Sequence, residues 1–352
     1  MQFIYKFVAM GSVATAEPGK IYVDVGNGFE PGLLDHHHLL APEKCAAALV
    51  LNTPEYVRSQ VLSNPSPVQI ITHLYPDMDA ISGVYFARAY LQHQGPNLPQ
   101  QSALSRWADY VCAVDRGETV LNPAQPITPY SVFMMSLHRA QQTHSESVPA
   151  SAAMLEAGLA LIDVVIAKLI AGQDMLMPDF WDDILPTEVA AVRDDHQRYL
   201  NDIQRAEQFE CILPATNGKE VKKVPALWIN QPSAILFKAW ARGDARRADH
   251  KIGFVFTGVQ LTPQRAILSV MPDSGVNLKG LGAALEKAEK AKREQIGQVR
   301  TGTNRPGYDS PDPWYDGRSP LHAYTIVDAP HGGSVLTEPE IRRVFEQWCI
   351  FR

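Results

Sequence analysis

The chain has 352 residues, 45% of them hydrophobic and 20% charged, with a formal net charge of −6. That length exceeds the comfortable size of one core and favours two domains over a single large α/β domain, of ordinary globular texture and with no apolar run long enough to cross a membrane. The acidic balance disfavours long duplex nucleic acid, whose affinity comes from a basic surface, but leaves small phosphorylated molecules and short oligonucleotides open, because bound cations invert the local potential.

The opening run FIYKFVAM (3–10) reads as a strand. Ala14-Thr15-Ala16 resembles a signal-cleavage site, but the only nearby charge, Lys6, follows an already apolar FIY, so a cytoplasmic protein is expected. IYVDVG (21–26) is a second strand, followed by a helix around Glu43 to Leu51, a strand VQIITH (68–73) and a helix from Ala80 to His93. Strands alternating with helices predict an α/β fold with a doubly wound parallel sheet. Helices then follow over Ser105 to Val114, Ser131 to Gln142, Ser151 to Ala171 and Thr187 to Gln208. The third of these is apolar nearly all round, as a buried or bridging helix is.

From about Glu210 the runs ECILPA, VPALWI, IGFVFTG and AILSVM, a helix from Leu278 to Arg293 and the strand HAYTIVDA describe a second, smaller α/β domain. The boundaries read as a catalytic domain over 1–145, a helical connector over 146–209 and a carboxyl-terminal substrate-binding domain over 210–352. A capping box, Thr337-Glu-Pro-Glu340, opens the last helix. The long loop from Arg300 to Ser319, rich in Gly, Pro, Asp and Arg, is of a length that is usually functional. The four cysteines, Cys45, Cys112, Cys211 and Cys349, are scattered without a CxxC pair and read as reduced thiols.

Two strings carry the chemistry. Val23-Asp24-Val25-Gly26 leads to Asp35-His36-His37-His38, and His73-Leu-Tyr-Pro76-Asp77-Met-Asp79-Ala80 follows another strand. In open parallel sheets the carboxyl edge collects such loops at one rim. Asp77 and Asp79 lie two apart where a helix opens, so both can reach cations while the helix N-terminus favours anions. Carboxylates with a few imidazoles suit Mn²⁺, with Mg²⁺ and Co²⁺ as alternatives, and that chemistry points to phosphate esters or anhydrides. A metal-free polar turn at the DHHH run and simple helix capping by the aspartates are the competing readings.

These strings resemble the DHH phosphoesterase superfamily, with its HxxPDxDA string, strand-end aspartate and Asp-His-His signature, over roughly the first 115 residues. The order differs from the usual one, since the VDVG and DHH pair precedes the HxxPDxDA string. The resemblance implies two metals: His73 and Asp77 on one, Asp79 and His36 on the other, Asp24 bridging, and a further carboxylate from Asp115, with Asp109 as fallback. It implies catalytic roles for Asp24, Asp79 and His37, the last facing the scissile phosphate. Asp35 would orient the imidazoles, and His38 has no assigned role.

The family's glycine-rich GGGH string is absent. Its nearest substitutes are His331, Gly332 and Gly333, with Arg305, Arg318 and Trp314 or Tyr315 from the long loop as further substrate contacts. Loop packing for Trp314 and Tyr315, and a salt bridge from Arg318 to Asp312 or Asp316, are the competing readings. Lys279 and Lys287 read as a solvated helix face. The expected activity is Mn²⁺-dependent hydrolysis of a phosphodiester or phosphate ester of a small nucleotide, cyclic dinucleotide or short oligonucleotide. An inorganic pyrophosphatase and a non-catalytic nucleotide-sensing module are the alternatives, and a homodimer is left open.

Overall fold

The computed structural model describes residues 2–35, 45–60, 67–93, 101–244, 253–302, 304, 307–318 and 323–350. The chain divides into two units, one of residues 1–119 and 127–192 and the other of 120–126 and 193–352. The described residues form eleven helices and two five-stranded mixed sheets, so the fold is α/β as its strand and helix alternation predicts.

The first unit is built on β1 (Phe3–Val8), β2 (Lys20–Val23), β3 (Phe29–Glu30), β4 (Leu33–Leu34) and β5 (Val68–His73), in the spatial order β1-β5-β2-β4-β3. All neighbours are parallel except the β3–β4 pair. Parallel strands are covered on both faces and therefore read as nearly unbroken apolar runs, which is how KIYV and VQIITH were legible. Register puts Tyr22, Leu33 and Ile71 on one face, where they pack with Val8, Ala14 and Ala16. Val23 and Leu34 point the other way and are fully buried.

On that face lie α1 (Ala46–Asn52) and α3 (Met78–Gln92), with the short α2 (Pro54–Arg58) between them in sequence. They are joined by α4 (Gln101–Asp115), α5 (Pro129–Gln141), α6 (Ser147–Ile170) and the single turn α7 (Asp179–Asp182). Gly83 of α3 lets the helix approach β2, since a Cβ there would meet Val23 at 2.5 Å. The helix α8 (Pro186–Arg205) ends earlier than its periodicity predicts, because Glu207 leaves it to pair with Trp228.

One expectation is overturned. Cys45 and Cys112, read as reduced thiols, form a disulfide with a Cα–Cα distance of 5.2 Å across 67 residues of sequence. Packing of α1 on α4 brings them together, and no short spacing in the chain announces it. Cys211 and Cys349 are free, and burial pushes both thiols up to about 12.

The second unit holds β6 (Glu207–Pro214), β7 (Val221–Asn230), β8 (Phe256–Thr262), β9 (Arg265–Val270) and β10 (Ile326–Asp328), in the order β10-β9-β8-β7-β6. Only β7 and β8 run parallel. α10 (Leu281–Gln295) and α11 (Glu338–Ile350) pack Leu281, Leu285, Ile341 and Phe345 into the sheet's core. α9 (Phe237–Gly243) is held to α8 by Asp195, which accepts the Ile235 and Leu236 amides and the Trp240 indole N–H. The capping box of α11 forms in half. Glu340 accepts the Thr337 amide at 2.7 Å, but the threonine hydroxyl donates to that same carboxylate instead of accepting an amide. Among the described residues no helix is long and apolar enough to cross a membrane.

Candidate metal centre

Because β2, β4 and β5 are parallel, Asp24, Asp35 and His73 leave the sheet at the same edge. Asp24 takes a left-handed backbone conformation, φ 56°, which turns the chain sharply at the strand end. Such a conformation costs a non-glycine residue roughly 1–2 kcal/mol and is tolerated best by Asn and Asp. Two residues on, Gly26 has φ 115°, and a Cβ there would lie 2.4 Å from Leu33. This close turn lets the Asn27 amide donate to Asp35 at 2.7 Å, tying the VDVG string to the start of the DHH run.

His73 is buried, 2% exposed. Its Nδ1 lies 3.0 Å from the Leu74 carbonyl oxygen and its Nε2 lies 3.2 Å from Asp24 Oδ2. Asp77 caps α3, its Oδ1 accepting the Asp79 and Ala80 amides at 3.0 and 3.1 Å. Its Oδ2 makes no hydrogen bond among the described residues. Asp24, His73 and Asp77 each place a ligand atom within 4.8 Å of the other two.

Asp79, 2% exposed, is held differently. Its Oδ2 and Oδ1 accept the Ala46 and Ala47 amides, both at 2.8 Å, so a carboxylate on α3 caps the N-terminus of α1. Those two contacts are short charge-assisted bonds to otherwise orphaned helix amides. Each oxygen keeps a further lone pair. Asp115 ends α4, and Gly117, at φ 71°, turns the chain away just beyond it. A carboxylate at a helix C-terminus opposes the helix dipole, so the position is unfavourable without a cation.

Burial, and then the charges of Asp79, Asp77 and Asp35, push Asp24 well above the usual carboxylate range. Burial followed by Asp115 and Asp77 does the same to Asp79, against the two α1 amides. Asp115 is raised by burial and then by Asp24 and Asp77, with Arg116 opposing. Five aspartates therefore share one field, and Arg116, the cation that opposes it at Asp115, is itself paired to Glu118 at 2.6 Å.

Two features fit a divalent ion. Both ring nitrogens of His73 face acceptor oxygens. A neutral ring protonated on Nδ1 satisfies Leu74 and leaves an Nε2 lone pair facing a carboxylate, a contact that needs a positive charge or a proton between them. In addition, Asp115 Oδ2 is buried with no hydrogen-bond partner, which costs about 1–3 kcal/mol or more unless a ligand satisfies it.

Of the residues expected from sequence, Asp24, His73 and Asp77 are brought together directly, and Asp79, Asp115 and Asp35 lie within electrostatic reach. Asp109, the fallback for Asp115, is exposed on α4. His36, His37, His38 and Arg305 lie outside the described residues. The amides of Ala46 and Ala47, which hold Asp79, and the backbone of Tyr75 carry no signal in the sequence. Tyr75, 42% exposed between His73 and Asp77, holds φ 55°, and its amide donates to Ser151 Oγ at 2.8 Å.

In the second unit the expected substrate contacts have local partners. Trp314 is 1% exposed in the core, with its indole N–H 3.3 Å from Glu289. Tyr315 pairs through its backbone with Asp328. Arg318 grips Asp316 with two bonds of 2.9 and 3.0 Å and lies over the Tyr308 ring at 3.8 Å, so the salt bridge weighed as its competing reading is present. The His331 and Gly332 amides both donate to Asp312 at 2.7 Å, and the Gly333 amide donates to Pro330. Lys287 is exposed, and the exposed Lys279 has its ammonium over the Tyr324 ring.

Comparison of the chain with protein-family models, with curated proteins and with solved structures finds no match.

Proposed function

We propose that the first unit carries a divalent-metal phosphoesterase centre of the DHH type. The observation that supports this best is the convergence of Asp24, His73 and Asp77 at the carboxyl edge of a parallel sheet, within 4.8 Å of one another, with the buried Asp79 and the half-buried Asp115 in the same field. The chain's residues divide the work. The Leu74 carbonyl fixes the His73 ring so that Nε2 faces Asp24. The helix cap fixes Asp77 through one oxygen and leaves the other for a ligand. The α1 amides hold Asp79. Asp24, reached by the charges of three neighbouring aspartates, would be the carboxylate shared between the ions if two are bound.

Mn²⁺ suits this mixture of carboxylate and imidazole, with Mg²⁺ and Co²⁺ as alternatives. Such ions supply hydroxide near neutral pH and offset charge on phosphoryl oxygens. His37 is assigned to the scissile phosphate and His36 to the second ion. The proposed substrate is a phosphodiester or phosphate ester of a small nucleotide, cyclic dinucleotide or short oligonucleotide.

The test is a product-release screen over pyrophosphate, mononucleotides, dinucleotides and cyclic dinucleotides, after chelation and again with Mn²⁺ restored. Metal-dependent cleavage of a nucleotide ester, abolished by Asp77→Asn, is the expected result. Release from pyrophosphate alone would make the protein a pyrophosphatase, and stoichiometric binding without product would make it a sensor. Full activity in excess chelator would remove the centre altogether.

A further inference from the structure

The disulfide lies between the two helices that carry or clamp the outer carboxylates of the proposed metal centre. Cys45 is the N-cap residue of α1, and the next two amides, Ala46 and Ala47, are those that Asp79 grips. Cys112 sits three residues, just under one helical turn, before Asp115 on α4. One covalent bond therefore links the platform of Asp79 to the helix end that presents Asp115.

We propose that the Cys45–Cys112 disulfide is a positioning cross-link that fixes the Asp79 clamp relative to the helix end bearing Asp115, so that the thiol state of this pair sets the affinity of the centre. This rests on the metal centre proposed above. Both cysteines are buried, at 0% and 5% exposure, so the bond is shielded in the folded chain and opens only through local unfolding. Reduction requires a dithiol. Its two electrons and two protons convert the S–S bond into two thiols while the dithiol closes to its own disulfide. Cross-links of this kind persist in oxidising surroundings and are opened in reducing ones.

The reduced chain keeps the non-covalent α1–α4 packing but loses the one covalent bond between the two helices, so the Asp79 clamp on the Ala46 and Ala47 amides opens more often. Outer groups that orient metal ligands typically change affinity 10–100-fold, and that scale sets the expectation here.

Three measurements decide it. Alkylation in denaturant without reductant, read by intact mass, should label two cysteines, Cys211 and Cys349, and should label four after dithiothreitol. Four labels in both cases would overturn the proposal. Titration calorimetry with Mn²⁺ should show at least a ten-fold weaker site in Cys45→Ala/Cys112→Ala than in the oxidised wild type, and an affinity within two-fold would overturn it. For wild-type protein reduced and then desalted, hydrogen exchange should be faster at the Ala46 and Ala47 amides, and unchanged protection there would overturn the proposal even if the double variant fails to fold. Failure of the oxidised wild type to bind Mn²⁺ would instead strike the metal centre, while the exchange measurement would still report on the clamp.

Discussion

Gly83 offers a sharp test of how the sheet and the helix layer fix Asp24. A Cβ at this position would lie 2.5 Å from Val23 Cγ1 and 3.6 Å from Ala47 Cα and Val50 Cγ2. Carbon atoms rest at about 3.5–4.0 Å, so Gly83→Ala requires roughly 1 Å of movement. Val23 is fully buried, aligned in register with Leu34, and immediately precedes Asp24. Two effects compete. Alanine is about 1 kcal/mol better than glycine within a helix, whereas forcing a methyl into a packed core costs about 1–3 kcal/mol. The close contact should win, giving a net loss of up to about 2 kcal/mol and a displaced Asp24 with weaker Mn²⁺ binding.

Val23→Ala removes the obstructing methyl. The double variant should therefore be more stable than the sum of the single effects by about 1–2 kcal/mol, and should regain part of the Mn²⁺ affinity. Urea midpoints for the four proteins measure the coupling, and calorimetry measures the affinity. Strictly additive stabilities, or a Gly83→Ala protein that gains stability, would refute the close approach of α3 to β2.

Three further outcomes are expected. With metal chelated, the raised carboxyls of Asp24, Asp79 and Asp115 bind protons in the folded chain that the unfolded chain releases. Stability should thus fall as pH rises above the ordinary carboxylate range of about 4. Carboxylates lowered by partners, such as Glu340 at about 2, act in the opposite sense but below that window. A urea midpoint that rises between pH 5 and 8 in chelator, or one that Mn²⁺ does not lift most at the upper end, would contradict this. Glu289, fully buried, accepts from Arg293, Trp314, Ser334 and Val335. Glu289→Gln keeps only one acceptor oxygen and turns an amide toward two donors, so the second unit should lose about 3–5 kcal/mol, and a thermal melt unchanged from wild type would sink that account. Tyr75→Gly relieves φ 55° and should leave stability unchanged or raise it by up to about 1 kcal/mol. A clear loss in the same melt would mean that the ring packs in the folded chain.

Much of this architecture was legible in the residues, for identifiable reasons. FIYKFV and VQIITH are β-branched and aromatic runs bounded by breaks, and they became β1 and β5. The HxxPDxDA string was legible because its geometry is local: Asp77 caps the helix it opens, and the strand before it delivers His73 to the same loop. What stayed hidden depends on contacts between distant segments. Asp79 looks like a free ligand in sequence, yet its two oxygens take amides 32 and 33 residues away. The cysteines are separated by 67 residues, and only the packing of α1 on α4 pairs them. Two-residue strands such as β3 and β4 carry too little pattern to detect. The seven-residue α9 is fixed by Asp195 from a neighbouring helix rather than by a periodicity of its own.

Trp314 and Arg318 show the converse problem. An aromatic or an arginine in a Gly- and Pro-rich loop looks available for a ligand, but buried Glu289 and Asp316 draw them inward. Loop composition indicates an irregular path; it does not indicate which side chains that path leaves exposed.

The central claim is that remote segments converge on a cation site at one sheet edge. Crystals soaked in Mn²⁺ and measured near the manganese absorption edge test it without reference to any substrate. An anomalous peak in contact with Asp24, His73 Nε2 and Asp77 is the expected result. A map with no peak there, or with manganese bound only elsewhere, would contradict the account.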